Sequence, residues 1–284
     1  IQPAAGDAGN ALGCALFAWH QLLDNPRVPD RRRQKATYLG PEFHDDEIET
    51  YLMSINAPYE KYGDDALAAR VAELLATENV VGWFQGRMEF GPRALGARSI
   101  LGDARSREMQ SVLNLKIKFR ESFRPFAPAV LEERVSDYFE LDAESPYMLL
   151  VADVAKKHLA QLDDESARAT GFDKLKVARS DVPAITHVDN SARIQTVREE
   201  DHARYYNLIK KFEERTGCPV IINTSYNVRG EPIVCTPQDA YRCFMATEID
   251  CLVAGNRFLE REKQTRRPLD DAQRAQWLQR FELD

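Results

Sequence analysis

The sequence has few cysteines and lacks any long apolar run. Its five cysteines are an odd number without a C-x-x-C pair, and its five histidines are scattered, which argues against a disulfide framework and against a zinc site. No apolar run approaches the length of about 18 residues that a membrane-spanning helix needs. The N-terminal part contains no basic segment followed by an apolar stretch. We therefore expect neither a transmembrane helix nor a signal peptide, and we expect a cytoplasmic protein.

The length and composition are those of a globular protein. The chain has 284 residues, of which 44% are hydrophobic and 29% charged, and these values argue against disorder, collagen and coiled coil. A chain of this length can bury a large core without disulfides or metal ions. The first residue is Ile1 rather than Met, so we expect a chain that begins inside a longer protein or has been processed.

Positive charge is concentrated in one part of an acidic chain. The formal net charge is −7, but residues 87–124 contain nine basic and four acidic residues, so this segment carries +5 and the remainder −12. A basic segment in an acidic protein favours a small anionic ligand over DNA, which usually binds a broadly basic face. Solvated surface charge gives the same count, so composition leaves both interpretations open.

Alternating helix and strand patterns predict an α/β fold. From Asp64 onwards apolar residues recur at helical spacing, and residues 80–84 then form the short apolar run of a buried strand. Residues 85–99 contain three glycines, a proline and three arginines, which predicts a loop whose backbone can approach a ligand. Residues 184–197 predict a hairpin, and residues 219–222 predict a strand that ends at a polar turn.

Two groups of polar residues are candidates for ligand binding. Arg93, Arg98 and Lys118 form a candidate polyphosphate clamp, because guanidinium and ammonium groups bind phosphate oxygens. The hydroxyls and amides of residues 223–227 can hold a phosphate or a planar carbamoyl group, although Asn and Ser are also ordinary turn residues. The sequence contains no nucleophile elbow, no G-x-x-x-x-G-K-[ST] and no H-E-x-x-H, which argues against the commonest hydrolases, nucleotide triphosphatases and metallopeptidases.

Two further signals come from one histidine and from the start of the chain. His187 has polar neighbours and is a candidate general base or substrate ligand, but a histidine that only supports the hairpin fits the same pattern. Gly6, Asp7 and Gly9 precede a helix of small residues, and the free backbone N–H groups of such a helix start can bind a phosphate. Neither signal identifies a reaction by itself.

Three longer strings make the sequence resemble one known family. They are residues 87–101 (RMEFGPRALGARSIL), residues 123–128 (FRPFAP) and residues 223–233 (NTSYNVRGEPI). Together they resemble the C-terminal half of the NodU/CmcH carbamoyltransferases, which decorate nodulation factors and antibiotics, and the similarity covers nearly the whole chain. The resemblance implies a YrdC-like α/β domain with a twisted, mixed β-sheet and flanking helices. It also implies helical remnants of an actin/kinase-like domain at both ends.

The resemblance implies an ATP-dependent O-carbamoyltransferase component. The YrdC-like domain is expected to bind ATP and carbamoyl phosphate, to form carbamoyl-adenylate and to release pyrophosphate. The kinase-like domain then passes the carbamoyl group to a hydroxyl of a natural product or glycolipid. Mg²⁺ is expected to bridge ATP oxygens, although the sequence suggests no acidic ligand set for it. The family's histidine-based metal site, for iron or a similar ion, is expected only in the absent kinase-like domain.

Family motifs imply where the ligands bind. The YrdC-like pattern Lys-x-Arg-Pro and Ser-x-Asn resembles Arg124-Pro125 and Ser225-x-Asn227, with Lys118 as the best-placed lysine although five residues separate it from Arg124. The implied catalytic residues are Lys118, Arg124 and Arg93, and the implied substrate-binding and ATP-binding residues are Arg98, His187, Arg193, Asn223, Ser225 and Asn227. Gly6, Asp7 and Gly9 resemble the nucleotide motif near the end of the kinase-like domain.

The same resemblance implies three segments and their partners. Residues 1–36 are the expected end of the kinase-like domain with a linker, residues 37–262 the YrdC-like domain, and residues 263–284 a helix that returns to the kinase-like domain. The expected partners are ATP, carbamoyl phosphate and the absent kinase-like domain, with a homodimer as a candidate assembly and neither DNA nor a membrane.

Two rival interpretations stay open. One is an RNA-binding YrdC-like module without catalysis. The acidic balance outside residues 87–124 and the expected lack of clustered, exposed aromatic residues both argue against it. The other is a scaffold that only docks the absent domain. Strong, salt-sensitive RNA retention would favour the first, and stabilisation by ATP would argue against the second.

Overall fold

A mixed β-sheet with helices packed around it forms the centre of the molecule. The computed structural model describes residues 3–28, 37–265 and 269–281. Within these ranges the strands are β1 Glu60–Lys61, β2 Val81–Phe84, β3 Arg98–Asp103, β4 Ala127–Leu131, β5 Leu150–Asp153, β6 Ser191–Val197, β7 Val220–Ser225, β8 Cys251–Ala254 and β9 Arg257–Glu260. They form one sheet in the order β1-β9-β8-β2-β3-β7-β4-β6-β5.

The helices of the described ranges differ widely in length. They are α1 Asp7–Phe17, α2 Asp45–Ser54, α3 Asp64–Ala76, α4 Met109–Val112, α5 Val135–Tyr138, α6 Asp164–Arg168, α7 Ala203–Thr216, α8 Pro237–Ala246 and α9 Asp271–Leu278. The π-helical turns Ala18–Leu22 and Leu113–Ile117 extend α1 and α4. The predicted α/β class, with a mixed sheet and flanking helices, is confirmed.

The sheet mixes two parallel pairs with antiparallel neighbours. β2 pairs with β8 and β4 with β6 in parallel, while β7 at the centre runs antiparallel to its two neighbours, β3 and β4. Every residue of β2, β4 and β8 is buried, as expected for apolar strands with both faces covered. The central pair β3–β7 places Ser99 opposite Ser225, so the C-terminal end of β7 lies between the central strands of the sheet.

The longer helices follow signals in the sequence. In α7, Tyr205, Leu208, Ile209 and Phe212 form a buried stripe at helical spacing, and the helix ends at Gly217 in the left-handed conformation (φ 74°). This stripe contributes to the main core, and α7 packs against α3. α8 begins with a capping box in which Thr236 and Asp239 bond each other's backbone, followed by proline at the first helical position.

Several local predictions are wrong. The hairpin across residues 184–197 is absent: Pro183–Ile185 forms a 3-10 turn, and β6 pairs with β5 and β4 instead. Asn190 adopts a positive φ of 67° in a tight turn that is closed by a hydrogen bond from His187 N to Ser191 O. Residues 186–190 before β6 do not form a strand. The loop predicted for residues 85–99 ends where β3 begins at Arg98. The polar residues 223–225, predicted as a turn, continue β7.

The two ends of the chain are helical. No residue of α1 is buried, whereas Trp277 of α9 is buried in the main core. The predicted boundary at residue 36 lies outside the described residues, and both predicted boundaries stay predictions. Among the described helices, none combines the length and the apolar character that crossing a bilayer requires.

Candidate functional site

A small cavity lies where the chain leaves α4 and where β7 ends. Its volume is about 230 Å³, and we name it the lysine hollow. The residues that line it are Lys118, Arg120, Arg124, Ser225, Asn227, Val228, Arg229 and Gly230. They come from two segments, represented by Lys118 and Ser225, that are 107 residues apart in the sequence.

The first segment is positioned by the π-helical turn Leu113–Ile117. This turn buries Leu113, Asn114 and Ile117 and ends at Lys118, whose N–H donates to Leu113 O at 2.9 Å. The next residue, Phe119, has a φ of 49°, which ends the helical geometry. Wide turns of this kind occur often at functional sites, because they rotate the residues that follow relative to a regular α-helix.

The Lys118 side chain reaches across the hollow to the second segment. Its Nζ donates to Ser225 O, to Asn227 O at 2.9 Å and to Asn227 Oδ1 at 2.9 Å. Burial, followed by repulsion from Arg120, lowers the pKa of Lys118 from 10.5 to about 7. The hydrogen-bond partners of buried Lys118 in these contacts are uncharged oxygens, and an anion bound nearby would stabilise its charged form.

Asn114 fixes the backbone of the segment that carries Arg124. It donates to Ser122 O at 3.1 Å and to Arg124 O at 2.8 Å, and its Oδ1 accepts from Arg120 Nε at 2.7 Å. The Arg124 side chain is 47% exposed and forms an ion pair with Glu121 at 3.1 Å. Arg124 thus keeps a solvent-accessible guanidinium at the rim of the lysine hollow.

The second segment begins with the polar end of β7. Asn223 is fully buried, and its Nδ2 donates to Gln195 Oε1 at 2.6 Å and to Ala94 O at 3.0 Å. The bond to Gln195 shows that Asn223 and Gln195 project from the same face of the sheet. Ser225 lies two residues after Asn223 in β7, and Arg193 lies two residues before Gln195 in β6. Because side chains alternate along a strand, both also project from this face.

Arg93 and Arg193 form a second pair of cations on this side of the sheet. Burial lowers the pKa of Arg193 to about 10, and repulsion from Arg93 adds to the effect, so the two guanidinium groups are near neighbours. Both Nε atoms are buried and lack a hydrogen-bond partner among the described residues. Neither arginine lines the lysine hollow, so the predicted cations occupy two groups rather than one clamp.

Arg98 lies outside both groups. Its guanidinium donates to Gln85 O at 2.8 Å, Ala97 O at 3.1 Å and Gly86 O at 3.2 Å. The same group stacks over Phe84 at 3.7 Å, and Arg98 is fully buried. Its donors are thus used by backbone carbonyls, and the structure does not bring it to the other candidate ligands.

His187 lines a larger cavity of about 640 Å³. Burial lowers the pKa of His187, while the Asp189 carboxylate opposes that shift. Ser122, Phe123 and Pro125 line the same cavity, whereas Arg124 lines the lysine hollow. The segment 122–125 therefore lies between the two cavities.

The N-terminal glycine motif is separate from these cavities. Gly6 is the N-cap of α1 and Asp7 its first residue. Gly6 and Gly9 line a different cavity of about 290 Å³, which shares no lining residue with the lysine hollow. The buried Ala4 packs against Gly91, which connects this tail to the loop that carries Arg93.

The structure adds two arginines that the sequence predictions did not include as ligands. Arg120 is positioned over the Phe126 ring at 5.0 Å, and Arg229 forms an ion pair with Glu121 at 3.6 Å. Arg120 lies two residues after Lys118, and Arg229 two residues after Asn227, so sequence proximity was the available signal. In the described ranges, no cluster of three or more His, Cys, Asp or Glu side chains is arranged to hold a metal ion.

Comparison with known proteins supplies relatives for the whole chain. The chain is 59% identical to the Synechocystis sp. protein sll1178 over 100% of its own length and 46% of that protein. It is 39% identical to the nodulation protein NolNO of Sinorhizobium fredii, with 95% of the chain and 37% of that protein covered. For the nodulation protein U of Rhizobium fredii the identity is 34%, with 81% and 34% covered. The chain spans less than half the length of these curated relatives.

The chain is also similar to one solved structure and to one protein family. The structure of full-length HypF in its phosphate- and nucleotide-bound form matches with a TM-score of 0.43 at 18% identity, covering 67% of this chain and 25% of HypF. The family described as "Carbamoyltransferase C-terminus" matches residues 72–261, a range that includes both segments of the lysine hollow. Because this match covers more than half of its length, the chain belongs to the carbamoyltransferase C-terminus family.

Proposed function

We propose that this chain is the part of an O-carbamoyltransferase that makes carbamoyl-adenylate from ATP and carbamoyl phosphate. The observation that carries the proposal is the meeting of Lys118, Arg124, Ser225 and Asn227 at one cavity, from segments that are distant in the sequence. Two cations beside a hydroxyl and an amide suit a phosphate next to a carbamoyl group. Membership of a carbamoyltransferase family supports the same class of reaction.

The proposed reaction converts a poor carbamoyl donor into a good one. Cleavage of carbamoyl phosphate by water gives carbamate and inorganic phosphate. A carbamate oxygen then attacks the α-phosphorus of ATP, and the bond from that phosphorus to the bridging oxygen of the β-phosphate breaks. Pyrophosphate leaves with the bonding electrons. The product is a mixed anhydride that water would destroy, so an enclosed site protects it.

The proposed roles of the side chains follow from charge and reach. Lys118 and Arg124 neutralise phosphate oxygens, because the reaction needs positioning and charge stabilisation more than covalent help from the protein. Ser225 and Asn227 hold carbamoyl or phosphate oxygens. Arg93 and Arg193 bind the remaining anionic groups, and their unpartnered buried Nε atoms support this role.

Three other candidate residues receive different roles in the proposal. Arg98 supports the site from the core, because its donors bind backbone carbonyls. Asn223 aligns β7 with β6 through its hydrogen bond to Gln195. Its amide oxygen, Oδ1, is buried and has no hydrogen-bond partner among the described residues. His187 belongs to the larger cavity beyond the segment 122–125, where it contacts substrate only if a ligand extends across that segment.

The proposal assigns metal ions only to the substrate ATP and to the companion kinase-like domain. Mg²⁺ accompanies ATP, where it would offset phosphate charge. The lysine hollow is lined by cations, and the described residues include no acidic cluster for a metal ion. We therefore assign Mg²⁺ no protein ligand and derive no step through it, and the family metal site is assigned to the companion kinase-like domain.

Transfer of the carbamoyl group to an acceptor completes the proposed activity. The companion kinase-like domain passes it to a hydroxyl of a natural product or glycolipid. The exposed apolar residues of the N-terminal helix support contact with more protein, since Phe17 is 59% and Trp19 53% exposed.

Product detection tests the proposal directly. The chain is incubated with ATP and carbamoyl phosphate, and the mixture is assayed for pyrophosphate and, by mass spectrometry, for carbamoylated AMP. We expect both products, and neither when carbamoyl phosphate is omitted. Release of ADP and phosphate without a carbamoylated nucleotide would refute adenylate formation.

A further inference from the structure

Glu231 lies beneath the turn that carries Asn227. It is only 7% exposed, and its Oε2 accepts a hydrogen bond from Val228 N at 3.0 Å. Its own N–H donates back to Val228 O at 3.3 Å. Its backbone carbonyl accepts from Asn227 Nδ2 at 2.6 Å. One residue therefore binds both the backbone of the turn and the side chain of Asn227.

These bonds decide how the Asn227 amide faces the lysine hollow. Because Nδ2 is bound to Glu231 O, the amide oxygen must face the other way. Asn227 Oδ1 accordingly accepts from Lys118 Nζ at 2.9 Å and from Ser225 Oγ at 2.7 Å. The turn also binds the lysine from behind, since Arg229 N donates to Lys118 O at 3.2 Å.

The charged surroundings connect the same residues. Glu231 faces Lys118 from the first segment and Arg242 and Cys243 from α8. Burial raises the pKa of Glu231, whereas the two cations favour its carboxylate form. Lys118 in turn faces Arg120, Cys243 and Glu231, and the Glu231 charge opposes the effect of burial on the pKa of Lys118.

We propose that Glu231 is a positioning residue of the lysine hollow, which holds the Asn227 amide and the Lys118 ammonium ready for a phosphate without touching the ligand itself. The geometry assigns two separate contributions to it. The carboxylate fixes the turn through its hydrogen bond from Val228 N, which holds in place the backbone carbonyl that binds Asn227 Nδ2. Its negative charge keeps Lys118 protonated. This inference rests on the proposed function of the same site.

Two substitutions separate the contributions. Glu231→Gln keeps an oxygen that can accept from Val228 N but removes the charge, whereas Glu231→Ala removes both. We expect kcat/KM for ATP in pyrophosphate formation to fall about tenfold in Glu231→Ala in the acid range, because small displacements of binding groups are costly, and to fall further on the alkaline limb, because this variant also lacks the charge. In Glu231→Gln the alkaline limb of the kcat/KM profile should move to lower pH by about half a unit, a threefold loss on that limb, with little change in acid.

The matched control is Glu214→Gln, which removes an exposed carboxylate of α7 that pairs with Lys211. Its profile should coincide with that of the unchanged chain. A purely structural role for Glu231 would lower activity in Glu231→Gln without moving the limb, and an unchanged limb overturns the charge contribution. Wild-type kinetics in Glu231→Ala would overturn the positioning role altogether. If Glu231→Ala does not fold, the pH profile of Glu231→Gln tests the proposal instead.

A second readout does not depend on catalysis. The ammonium of Lys118 is titrated by NMR in chain labelled with ¹³C at lysine Cε, and its signal is assigned by its loss in Lys118→Arg. We expect the midpoint for Lys118 to fall in Glu231→Gln and to stay in Glu214→Gln. If the unchanged chain makes no carbamoylated AMP, the proposed function fails, while this titration still accepts or rejects the coupling of Glu231 to Lys118.

Discussion

At the scale of single residues, the account depends on where a few cations sit. Lys118 is buried and bonded to oxygens of the opposite segment, whereas Arg124 is half exposed at the rim. A phosphate between them would replace the neutral oxygens that bind Lys118 and the Glu121 carboxylate that pairs with Arg124 by one anion that contacts both cations. The two residues are therefore expected to dominate binding of the triphosphate.

Removal of either cation should nearly abolish adenylate formation. We expect Lys118→Ala and Arg124→Ala to lower kcat/KM for pyrophosphate release by about a hundredfold, the scale seen when one charge-stabilising donor is lost. Lys116→Ala is the matched control, since Lys116 is an exposed lysine of the same turn that pairs with Glu248. Normal rates in both site variants would remove these residues from the site.

The buried lysine also predicts a pH dependence. Lys118 has a lowered pKa of about 7, and only its protonated form carries the charge that binds phosphate. The kcat/KM for ATP should therefore be greatest below pH 7 and decline as pH rises through that value, approaching tenfold per unit. A profile that stays flat between about pH 6 and pH 9 would contradict this role.

At the scale of elements, the wide turn Leu113–Ile117 and β7 bring the two segments together. Asn114, fully buried in that turn, makes three side-chain bonds that fix Arg120 and the backbone around Arg124. A residue with no contact to ligand thus sets the position of two cations. This arrangement connects the local geometry of one turn to the shape of the lysine hollow.

Loss of the Asn114 amide should affect both stability and substrate binding. We expect Asn114→Ala to lower the free energy of unfolding by about 2–3 kcal/mol, because it leaves buried polar groups unpaired. Urea unfolding measures this change, and KM for ATP should rise at the same time. Gln110→Ala, which removes only exposed bonds to residues 123 and 124, is expected to change stability little. Equal effects of the two variants would argue against the role of Asn114.

Elements with strong local signals are the ones that can be predicted from a sequence. The buried stripe of α7, its end at Gly217 and the capping box of α8 all depend on neighbouring residues. β3 was missed because its residues lie next to a glycine-rich loop and become a strand only by pairing with β2 and β7. The pairing of β6 with β5 across some forty residues replaced the predicted hairpin for the same reason.

The site shows the same division between local and long-range information. The strings around Arg124 and Asn227 carry their own signal, and the structure places both at one cavity. Burial of Arg98 could not be deduced, because its five carbonyl partners include Pro41 and Cys235, which are far away in the sequence. Nor does any local pattern show that Glu231 lies beneath the turn.

At the scale of the whole molecule, the N-terminal helix α1 and its π-helical extension stand out, because the structure buries none of their described residues. Leu16, Phe17, Trp19, Leu22 and Leu23 are all exposed. Such a concentration of large apolar side chains is typical of a surface that another protein covers. The chain spans under half of its relatives, so the companion domain is the partner that the proposed function assigns to this surface.

Charged substitutions on that helix should separate the two proposed half-reactions. In a longer chain that includes the companion domain, Phe17→Glu together with Trp19→Glu is expected to leave carbamoylated AMP formation unchanged. Transfer to the acceptor hydroxyl should fall at least about tenfold, because buried charges disfavour the contact. Unchanged transfer, or loss of adenylate formation instead, would show that the helix has another role.

The most direct measurement is a crystal structure of the chain with a non-hydrolysable ATP analogue. The account predicts that the phosphates occupy the lysine hollow, with oxygens within hydrogen-bond distance of Lys118 Nζ and the Arg124 guanidinium and with Ser225 and Asn227 beside them. Phosphates bound elsewhere, with Lys118 still bonded to Ser225 and Asn227 and Arg124 still paired with Glu121, would contradict it.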